Sequence, residues 1–401
     1  MSERLRVALA VPHGLSWLER ALQSIAEVAR AEGGWAFTRM PEKYSTSIQW
    51  LKHWSGDGAF ATVIDHKDMQ VASSLKFPVI NLAGYLEDNT MSTVCVDHEA
   101  IGRLGATHLL GKKFRRFGFY GASRYWYSRL RLKGFREAVE QAGGTCAAHD
   151  ADSGHDSSGY RDEQLQLNYW LSTLQQPVGI MASTDVRASM VLEACRTLRL
   201  RVPEDVAILG VDNDPVITEL EDPPLTSIAR NGRQVGRQAA ELLLQLIRQP
   251  SMGRQQIFVP PEGIFERGST RTVAVDDPVV AEIVRYVREH VAERFGVERL
   301  LSLFSLSRRA LEYRFRSELH TSPYDFINAQ RVEAAKTMLK ENRSAKLAAV
   351  AAACGFADER RLRLVFQRTA GVTPAAFRKE QRFEVLRKLE AQVHVRDSVE
   401  A

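Results

Sequence analysis

Short apolar runs alternate with amphipathic segments along the first two thirds of the chain. The runs predict strands at residues 5–11, 58–64, 78–82, 93–96, 117–120, 178–182 and 206–211. The segments between them have apolar residues at helical spacing and predict helices at residues 17–31, 98–110, 128–142 and 186–198. Such alternation is typical of βαβ units with a parallel sheet. Because it extends over about 270 residues, more than one compact doubly wound sheet requires, we predict two α/β lobes with a cleft between them.

The pattern changes in residues 297–378, where one unit occurs twice. Leu311 and Phe315 recur 51 residues later as Leu362 and Phe366. The same offset relates the other matched residues, which are Ser322, Pro323 and Phe326 in the first copy and Thr373, Pro374 and Phe377 in the second. Each copy predicts a short apolar helix, a tight turn, a second helix rich in Arg and a Ser/Thr-Pro helix start. This is the layout of a helix-turn-helix DNA-binding motif.

The second copy shows the motif more clearly. The apolar face of its first helix repeats at i, i+3, i+4 and i+7, in Leu347, Val350, Ala351 and Cys354. Ser344 is a candidate cap for that helix, and Gly355 stands where a helix ends in a left-handed residue. From Asp358 a second helix is predicted to bury Leu362 and Phe366 and to leave a basic face outside.

These residues resemble the arabinose-operon-activator (AraC/XylS) class of transcription factors. The resemblance is carried by residues 351–356 (Ala-Ala-Ala-Cys-Gly-Phe), 365–366 (Val-Phe), 371–374 (Gly-Val-Thr-Pro) and 377–378 (Phe-Arg). The first copy is similar through Leu306, Ser307, Leu311, Arg314, Phe315, Ser322, Pro323, 326–328 (Phe-Ile-Asn) and Arg331. The chain departs from the family pattern at three positions. Ser305 replaces the Gly of the first turn, Ala357 replaces the usual Ser cap, and Leu364 stands where a basic residue is common.

The first part of the chain resembles the periplasmic-binding-protein fold used by lactose-repressor-type sugar sensors. The matching motifs are residues 96–97 (Val-Asp), 117–121 (Phe-Gly-Phe-Tyr-Gly), 131–135 (Arg-Leu-Lys-Gly-Phe), 183–185 (Ser-Thr-Asp), 202–206 (Val-Pro-Glu-Asp-Val), 210–213 (Gly-Val-Asp-Asn) and 224–228 (Pro-Leu-Thr-Ser-Ile). The two resemblances together imply an α/β two-lobed periplasmic-binding-protein-like sensor followed by an all-α tandem helix-turn-helix domain.

The domain boundaries follow from these patterns. We expect a sensor at residues 1–268, a linker at 269–279, a DNA-binding domain at 280–385 and a polar tail at 386–401. The helix-turn-helix units are placed at 297–318 and 345–369. A helix at 278–294 is expected to pack on the first unit, and a long helix at 323–340, capped by Ser322, is expected to join the two units.

Composition and charge agree with this division. The chain of 401 residues has 44% hydrophobic and 26% charged residues, typical of a soluble globular protein. Its net charge of +5 is unevenly distributed: residues 281–380 contain 19 Lys and Arg against 12 Asp and Glu, whereas residues 1–280 contain 31 against 33. A charged surface is more often merely solvated. Its coincidence with two Arg-bearing helices favours nucleic-acid binding instead.

The cysteines and the N-terminus indicate the compartment. Cys95, Cys146, Cys195 and Cys354 form no CxxC pair and have no paired His, which argues against a zinc site or a disulfide framework. The first apolar run is too short for a secretory signal, and no apolar stretch is long enough to span a membrane. We expect a cytoplasmic protein with no metal, no cofactor and no membrane partner.

Polar residues that follow strands or open helices are the candidate ligand contacts. The resemblance assigns Arg131, Asp185, Asp212 and Asn213 to sugar binding, and their carboxylate, amide and guanidinium groups suit sugar hydroxyls. Without the resemblance, each is more often a helix cap or a surface ion pair. Trp17, Trp126 and Tyr160 are candidates for stacking on the sugar, although core packing is equally possible for each. His13, after the first strand, is a further candidate that the sequence leaves ambiguous.

The exposed faces of the two Arg-rich helices are the candidate DNA contacts. The expected residues are Arg308, Arg309, Glu312 and Arg316 in the first unit and Asp358, Glu359, Arg360, Arg361, Arg363 and Arg368 in the second. Arg recognises guanine and Glu accepts from cytosine in the major groove.

An enzyme is the rival class. Asp65–His66, Asp97–His98 and His155–Asp156 place His beside Asp, but neighbours in sequence rarely face each other productively, and no nucleophile, phosphate or zinc motif occurs. No catalytic residue is therefore expected. A ligand-free architectural DNA-binding protein is a second rival, which would have no use for the sensor pattern.

The expected function is a sugar-responsive activator of sugar-catabolic genes. The resemblance implies D-xylose as the effector, double-stranded operator DNA and RNA polymerase as partners, and a homodimer. The alternative is a regulator or repressor that responds to another pentose or a small polyol.

Overall fold

The computed structural model describes residues 4–40, 47–88, 90–151, 157–272, 274–342 and 344–379. The chain forms two compact units, Met1–Ala274 and Val275–Ala401. The predicted tail at 386–401 and the pair His155–Asp156 lie outside the described residues. None of the described helices combines the length and apolar character needed to cross a bilayer.

The first unit contains two six-stranded sheets, one in each lobe. The first sheet has the order β11-β5-β4-β3-β1-β2 with parallel pairing throughout. Its strands are β1 (Arg6–Ala10), β2 (Ala36–Arg39), β3 (Gly58–Ala61), β4 (Val79–Asn81), β5 (Ser92–Val96) and β11 (Gln256–Val259). The central strands β3 and β4 are buried along their whole length, as parallel strands covered on both faces must be.

The second sheet has the order β12-β10-β9-β8-β6-β7, and only β12 runs antiparallel, against β10. Its strands are β6 (Arg116–Gly121), β7 (Thr145–Asp150), β8 (Val178–Ala182), β9 (Val206–Val211), β10 (Thr226–Ala229) and β12 (Gly263–Phe265). The chain passes between the lobes after β5, after β10 and between β11 and β12. The carboxyl ends of the parallel strands are where α/β folds bind ligands.

Helices cover both sheets. Those of the first unit are α1 (Ser16–Ala31), α2 (His66–Ser74), α3 (His98–Gly111), α4 (Trp126–Gln141), α5 (Ser157–Thr173), α6 (Asp185–Leu198), α7 (Pro215–Leu220) and α8 (Gly232–Arg248). The core of the first lobe joins α1 and α8 to its sheet through residues such as Leu18, Phe60 and Leu243. Aromatic residues, among them Phe119 and Phe135, fill the space between α4 and the second sheet.

Two glycines set the position of α4. A Cβ on Gly102 of α3 would collide with the carbonyl oxygen of Arg131, and a Cβ on Gly134 of α4 would collide with that of Glu99. Only residues without a side chain allow the two helix backbones to approach so closely. This crossing holds Arg131 at a defined depth beneath the second sheet's carboxyl edge.

The predicted linker begins earlier than the structure supports. Residues Gly268–Thr270 form a 3₁₀ turn, and Ser269 and Thr270 are fully buried. The Ser269 hydroxyl donates to the carbonyl of Ile208 at 2.6 Å and accepts from the amide of Thr226 at 2.9 Å. These bonds tie residues 268–272 to β9 and β10, so polar composition alone was a misleading sign of a linker.

The second unit is helical where it is described. Its helices are α9 (Pro278–Glu289), α10 (Val297–Leu303), α11 (Arg308–Leu319), α12 (Pro323–Glu341), α13 (Leu347–Ala353) and α14 (Glu359–Ala370). The predicted helix at 278–294 ends earlier, at Glu289, where the His290 ring stacks on Tyr286 at 4.1 Å and its Nδ1 bonds the Tyr286 carbonyl at 2.9 Å. Ser322 caps α12 as predicted by accepting from the amide of Asp325.

Both helix-turn-helix turns contain a left-handed residue. Gly355 has φ +71° and Ser305, its counterpart, has φ +50°. Gly355 also lies against the carbonyl oxygens of Val291 and Glu293, so a side chain there would clash. The turn of the first copy is one residue shorter, because Ser305 precedes its helix cap Ser307 by two positions and Gly355 precedes Asp358 by three.

The helix caps of the second copy differ from prediction. Asp358, one residue beyond the family's usual cap position at Ala357, caps α14 by accepting from the amide of Arg361 at 2.7 Å. Lys346 occupies the cap position of α13 without a side-chain bond, whereas the hydroxyl of Ser344 donates to Asn342 at 2.9 Å. Asn342 competes for Ser344, so that helix starts uncapped.

Candidate functional site

A buried ion pair lies at the carboxyl edge of the second sheet. Arg131 of α4 is 1% exposed, and its Nη2 lies 4.0 Å from Oδ1 of Asp212, which follows β9. The other nitrogen of the fork, Nη1, donates to the carbonyl of Ser183 after β8. The arginine is therefore fixed by groups that follow two neighbouring strands. Burial lowers the pKa of Arg131 to about 10, and the nearby Asp212 partly opposes that effect.

A second arginine approaches Asp212 from the crossover between β10 and α8. Nη1 of Arg230 lies 3.6 Å from the same Oδ1 atom. Its guanidinium also lies 3.6 Å from the ring centroid of Trp17, which belongs to α1 in the first lobe. The indole supports the cation through its π face. Burial raises the pKa of Asp212, and Arg230 and Arg131 act against that rise.

Asp185, at the start of α6, anchors the loop that follows β9. Its Oδ1 accepts from the hydroxyl of Ser227 at 2.5 Å, and its Oδ2 accepts from the amide of Asp214 at 2.9 Å. The Ser227 hydroxyl in turn accepts from the amide of Asn213 at 3.0 Å. Burial, followed by the charge of Asp212, raises the pKa of Asp185 to about 7. Asp185 thus orients the loop and does not reach out beyond it.

The loop itself is strained. Asp212 and Asn213 have φ angles of +117° and +49°, a left-handed backbone that non-glycine residues seldom adopt. Such conformations persist where the surrounding structure enforces them, and they cluster at functional sites. Here the bonds from Asp185 and Ser227 enforce it.

Several buried polar atoms of this cluster have no hydrogen-bond partner among the described residues. They are Nε of Arg131, Nε of Arg230, Oδ1 of Asp212, Oδ1 of Asn213 and both ring nitrogens of His98. Leaving such a group unsatisfied costs about 1–3 kcal/mol. A concentration of unsatisfied donors and acceptors is the chemistry that a small polyhydroxylated ligand satisfies.

Aromatic side chains form the border of the cluster. The Tyr127 ring lies 5.0 Å from the Arg131 guanidinium, 5.8 Å from the His98 ring and 5.5 Å from the Tyr85 ring. Burial raises the pKa of Tyr127 to about 12 and keeps the pKa of His98 well below its usual value, with Arg131 and Arg230 adding to the effect on His98. His98 is therefore neutral and can accept one hydrogen bond and donate another.

The other predicted ligand residues have contacts of their own. Nε2 of His13 bonds the Met40 carbonyl at 3.4 Å, and the Trp126 ring lies 6.4 Å from Phe258. Tyr160 is half exposed, and its hydroxyl donates to Glu193 at 3.2 Å. One face of Trp17 is covered by Arg230, so Trp17 contributes to the cluster through that arginine.

Tyr160 lines a cavity of about 600 Å³ that the sequence did not suggest. Tyr127 and the ion pair of Glu163 with Arg187, 2.8 Å apart, share its wall. The hydroxyl of Tyr120 donates to Glu163 at 2.6 Å, and burial, followed by that bond, raises the pKa of Tyr120. This network satisfies its own charges within the protein, unlike the cluster around Asp212.

Of the residues considered for catalysis, Asp65, His66 and Asp97 have structural contacts. Asp65 and Asp97 cap α2 and α3, and His66 bonds Asp88 at 3.0 Å. Among the described residues, no group of three or more His, Cys, Asp or Glu side chains is arranged to hold a metal ion.

The predicted DNA contacts lie on α11 and α14. Arg309, Arg316 and Arg360 are exposed, and within the described part of the chain they form no ion pair. Glu312 is half-buried. Arg308 pairs with Glu298, and Nε of Arg363 donates to Glu359 at 3.0 Å.

Three further predicted contacts of the second helix-turn-helix unit are engaged within the protein. Asp358 is the cap of α14, as described above. Arg368 lies 3.6 Å from Asp325 at the start of α12, and the Arg361 guanidinium lies 5.9 Å from the Tyr324 ring. Arg361 and Arg368 therefore also help to orient α14 on the long helix α12.

Comparisons with known proteins agree with this architecture. Residues 106–270 match the model of a periplasmic binding protein-like domain, and residues 300–380 match that of a helix-turn-helix domain. The xylose operon regulatory protein of Escherichia coli K12 is 27% identical over 385 residues, covering 94% of this chain and 97% of that protein. That of Haemophilus influenzae Rd is 28% identical, covering 80% and 84%. The solved structure of the xylose-binding transcription activator XylR is 26% identical with a TM-score of 0.71, covering 94% and 98%.

The chain is a helix-turn-helix transcriptional regulator. It joins a two-sheet periplasmic binding protein-like domain to a helical helix-turn-helix domain. The relatives named above are transcription regulators and not enzymes.

Proposed function

We propose that this regulator activates sugar-catabolic genes when a small sugar binds in the cleft, and that the sugar is D-xylose. The observation that carries the proposal is Asp212 between two arginines, surrounded by buried polar atoms that have no hydrogen-bond partner among the described residues. The names of the relatives favour xylose over the alternatives, which are another pentose or a small polyol.

The proposed binding chemistry divides the cluster by role. Asp212 and Asn213 accept from sugar hydroxyls, while Arg131 and Arg230 donate to hydroxyl or ring oxygens. Asp185 holds the loop that presents Asp212 and Asn213, and Trp17 holds Arg230. His98 and Tyr127 complete the boundary. His13, Trp126 and Tyr160 stay predictions.

The proposed DNA contacts use both helix-turn-helix units of one chain. The Arg-bearing helices α11 and α14 would enter two successive major grooves, so that the half-site is asymmetric and spans about 10 bp per unit. Dimerisation of the chain in the cytoplasm would double that site as a direct repeat, and RNA polymerase would be the partner that the bound dimer recruits.

The link between the sites is a two-state equilibrium. A ligand acts on a distant domain only by binding two conformations unequally. Closure of the two lobes over Arg131 and Asp212 is such a transition, because the cluster draws residues from both lobes. A hundredfold preference for the closed state supplies about 2.7 kcal/mol, enough to reorganise a marginal dimer.

A sugar panel tests the proposal. The full chain is heated with D-xylose, L-arabinose, D-ribose, xylitol or D-glucose, and the melting temperature is recorded. A ligand at one hundred times its Kd stabilises the folded state by about 2.7 kcal/mol, so D-xylose should raise the midpoint by several degrees. A shift with another pentose or xylitol alone selects the alternative effector, and no shift with any of the five rejects the cleft as a sensor of these ligands.

A further inference from the structure

Two large apolar side chains are exposed at the same position of the two Arg-rich helices. Tyr313 of α11 is 73% exposed and Leu364 of α14 is 56% exposed. They are separated by the 51-residue offset that relates Leu311 to Leu362. Each stands six residues after the helix cap, Ser307 or Asp358.

The neighbours of these residues define the surface they belong to. In a helix, residues three and four apart lie on one face. Tyr313 therefore shares a face with Arg309 and Arg316, and Leu364 shares the equivalent face with Arg360 and Gln367. The buried residues Leu311 and Phe315, or Leu362 and Phe366, point to the core on the opposite side.

A single exposed apolar residue needs no explanation, because much of any protein surface is apolar. Here the same position is apolar in both copies and lies in the middle of a cationic face. Both copies belong to residues 281–380, whose net charge is +7. That charge favours a polyanion as the occupant of both faces. In a major groove lined by phosphates, the apolar feature that a protein side chain can contact is the C5 methyl group of thymine.

We propose that Tyr313 and Leu364 each contact a thymine methyl group and thereby set one base of each half-site. The inference rests on the proposed insertion of α11 and α14 into DNA and deepens it by naming the bases. It requires an A·T pair opposite each residue, with the two pairs about one helical turn apart. Arginines on the same face would recognise flanking bases or phosphates.

Removing the methyl group from DNA tests this contact directly. A binding site is first selected from random-sequence duplexes with the full chain, and each thymine is then replaced singly by deoxyuridine. Burial of one methyl-sized group changes an equilibrium about 4-fold. We expect one thymine per unit whose replacement weakens wild-type binding about 3- to 5-fold, while replacements elsewhere have no effect.

Protein variants assign each thymine to its residue. Leu364→Ala should weaken binding to the selected DNA. Its affinity should no longer depend on the methyl group of the thymine assigned to Leu364, but should still depend on the methyl group of the other thymine. Tyr313→Ala should do the reverse, and Tyr313→Phe should behave as wild type because the ring is retained. Leu303→Ala, which truncates an exposed leucine of α10, is the matched control and should change neither property.

Other outcomes overturn the inference. If both alanine variants keep the full methyl dependence of the wild type, or if no thymine shows any, the two residues do not read thymine. An unchanged DNA affinity with an altered oligomeric state would assign them to a protein interface instead. Failure to select any sequence would reject the proposed DNA binding itself, which is a separate result. Helix content by circular dichroism confirms that each variant is folded.

Discussion

Oδ1 of Asp212 lies 4.0 Å from Nη2 of Arg131, and the same oxygen is approached by a second arginine, Arg230. The first two residues belong to the second lobe, whereas the cation that completes the arrangement, Arg230, leaves that lobe along the crossover and is held by Trp17 of the first. A single carboxylate thus connects a fixed arginine to one whose position depends on both lobes. Changes at Asp212 should therefore affect both ligand binding and the response to it.

Replacing Asp212 by Asn should abolish the response to the sugar while DNA binding without sugar survives. The amide keeps the shape of the side chain but leaves two buried arginines without a counter-charge. We expect sugar affinity to fall by about 10- to 100-fold, since a hydrogen bond to a charged group contributes about 1.5–3 kcal/mol. Isothermal calorimetry measures the affinity, and a reporter gene measures the response.

Asp222→Asn is the control for that change. Asp222 is an exposed carboxylate in the same lobe, so this variant should bind and respond as the wild type does. A full sugar response in Asp212→Asn would mean that the cleft is not the sensor.

The stability of the sensor should depend on pH through Asp185. Its pKa in the folded protein is raised to about 7, above the unfolded value of about 3.9. The folded state therefore retains a proton that the unfolded chain has released, so stability falls as the pH rises from about 4 through about 7. The amide of Asp185→Asn resembles the protonated carboxyl group and does not ionise. In this variant the part of the fall in stability that comes from Asp185 should be absent.

Melting temperatures of wild type and Asp185→Asn between pH 5 and pH 8 measure this effect. The variant should gain stability relative to the wild type as the pH rises, because the groups common to both proteins cancel. Parallel curves would show that Asp185 ionises normally and that Ser227 and the Asp214 amide stabilise its charged form sufficiently.

The packing of α3 on α4 gives a prediction about Arg131. Gly102→Ala should destabilise the protein by about 1–3 kcal/mol, because the new methyl group collides with the Arg131 carbonyl oxygen. The movement of α4 should also weaken sugar binding. Gly111 lies in the same helix, and a Cβ added there has no atom within 4 Å. Gly111→Ala should therefore change the free energy of unfolding by no more than about 1 kcal/mol and leave sugar affinity unchanged. Equal effects of the two substitutions would contradict this account of the crossing.

The sequence predicted most of the strands that are buried on both faces, although β10, which is also buried throughout, was not among them. Residues 178–182 and 206–211 are uninterrupted apolar runs, and the structure has strands with the same bounds. The edge strands β2 and β7 were missed because solvent covers one side of each and their composition is mixed. β11 was missed because its partner, β5, lies far away in the sequence.

The candidate site also contains residues that the sequence predicted and residues that it missed. Arg131, Asp185 and Asp212 were predictable because they follow strands or lie in a matched motif. Arg230 was not, since its role arises from Trp17 and Asp212, which are distant from it in sequence. His98 was considered only as the neighbour of Asp97, whereas its burial beside Tyr127 is a property of the assembled lobes. The signal that could have suggested both is their position in the crossovers after β5 and β10.

Arg309 and Arg360 should contribute most of the charge-based DNA affinity on their helices. They occupy equivalent positions in the two units, and among the described residues neither has an ion-pair partner, so each can meet DNA without first breaking a contact. Arg361 and Arg368 are also engaged with Tyr324 and Asp325, so their removal would mix DNA contacts with the orientation of α14.

Each of Arg309→Ala and Arg360→Ala should weaken binding to the selected DNA by about 1–3 kcal/mol if the residue contacts a base, with relaxed preference at that position. A phosphate contact would instead weaken all sequences uniformly and reduce the salt dependence by about one ion. Arg285→Ala, on α9, removes a half-buried arginine paired with Glu282 and serves as the control. Electrophoretic mobility shifts over a series of salt concentrations distinguish these outcomes. Affinity and sequence preference that stay unchanged in both variants would show that α11 and α14 are not the helices that enter the groove.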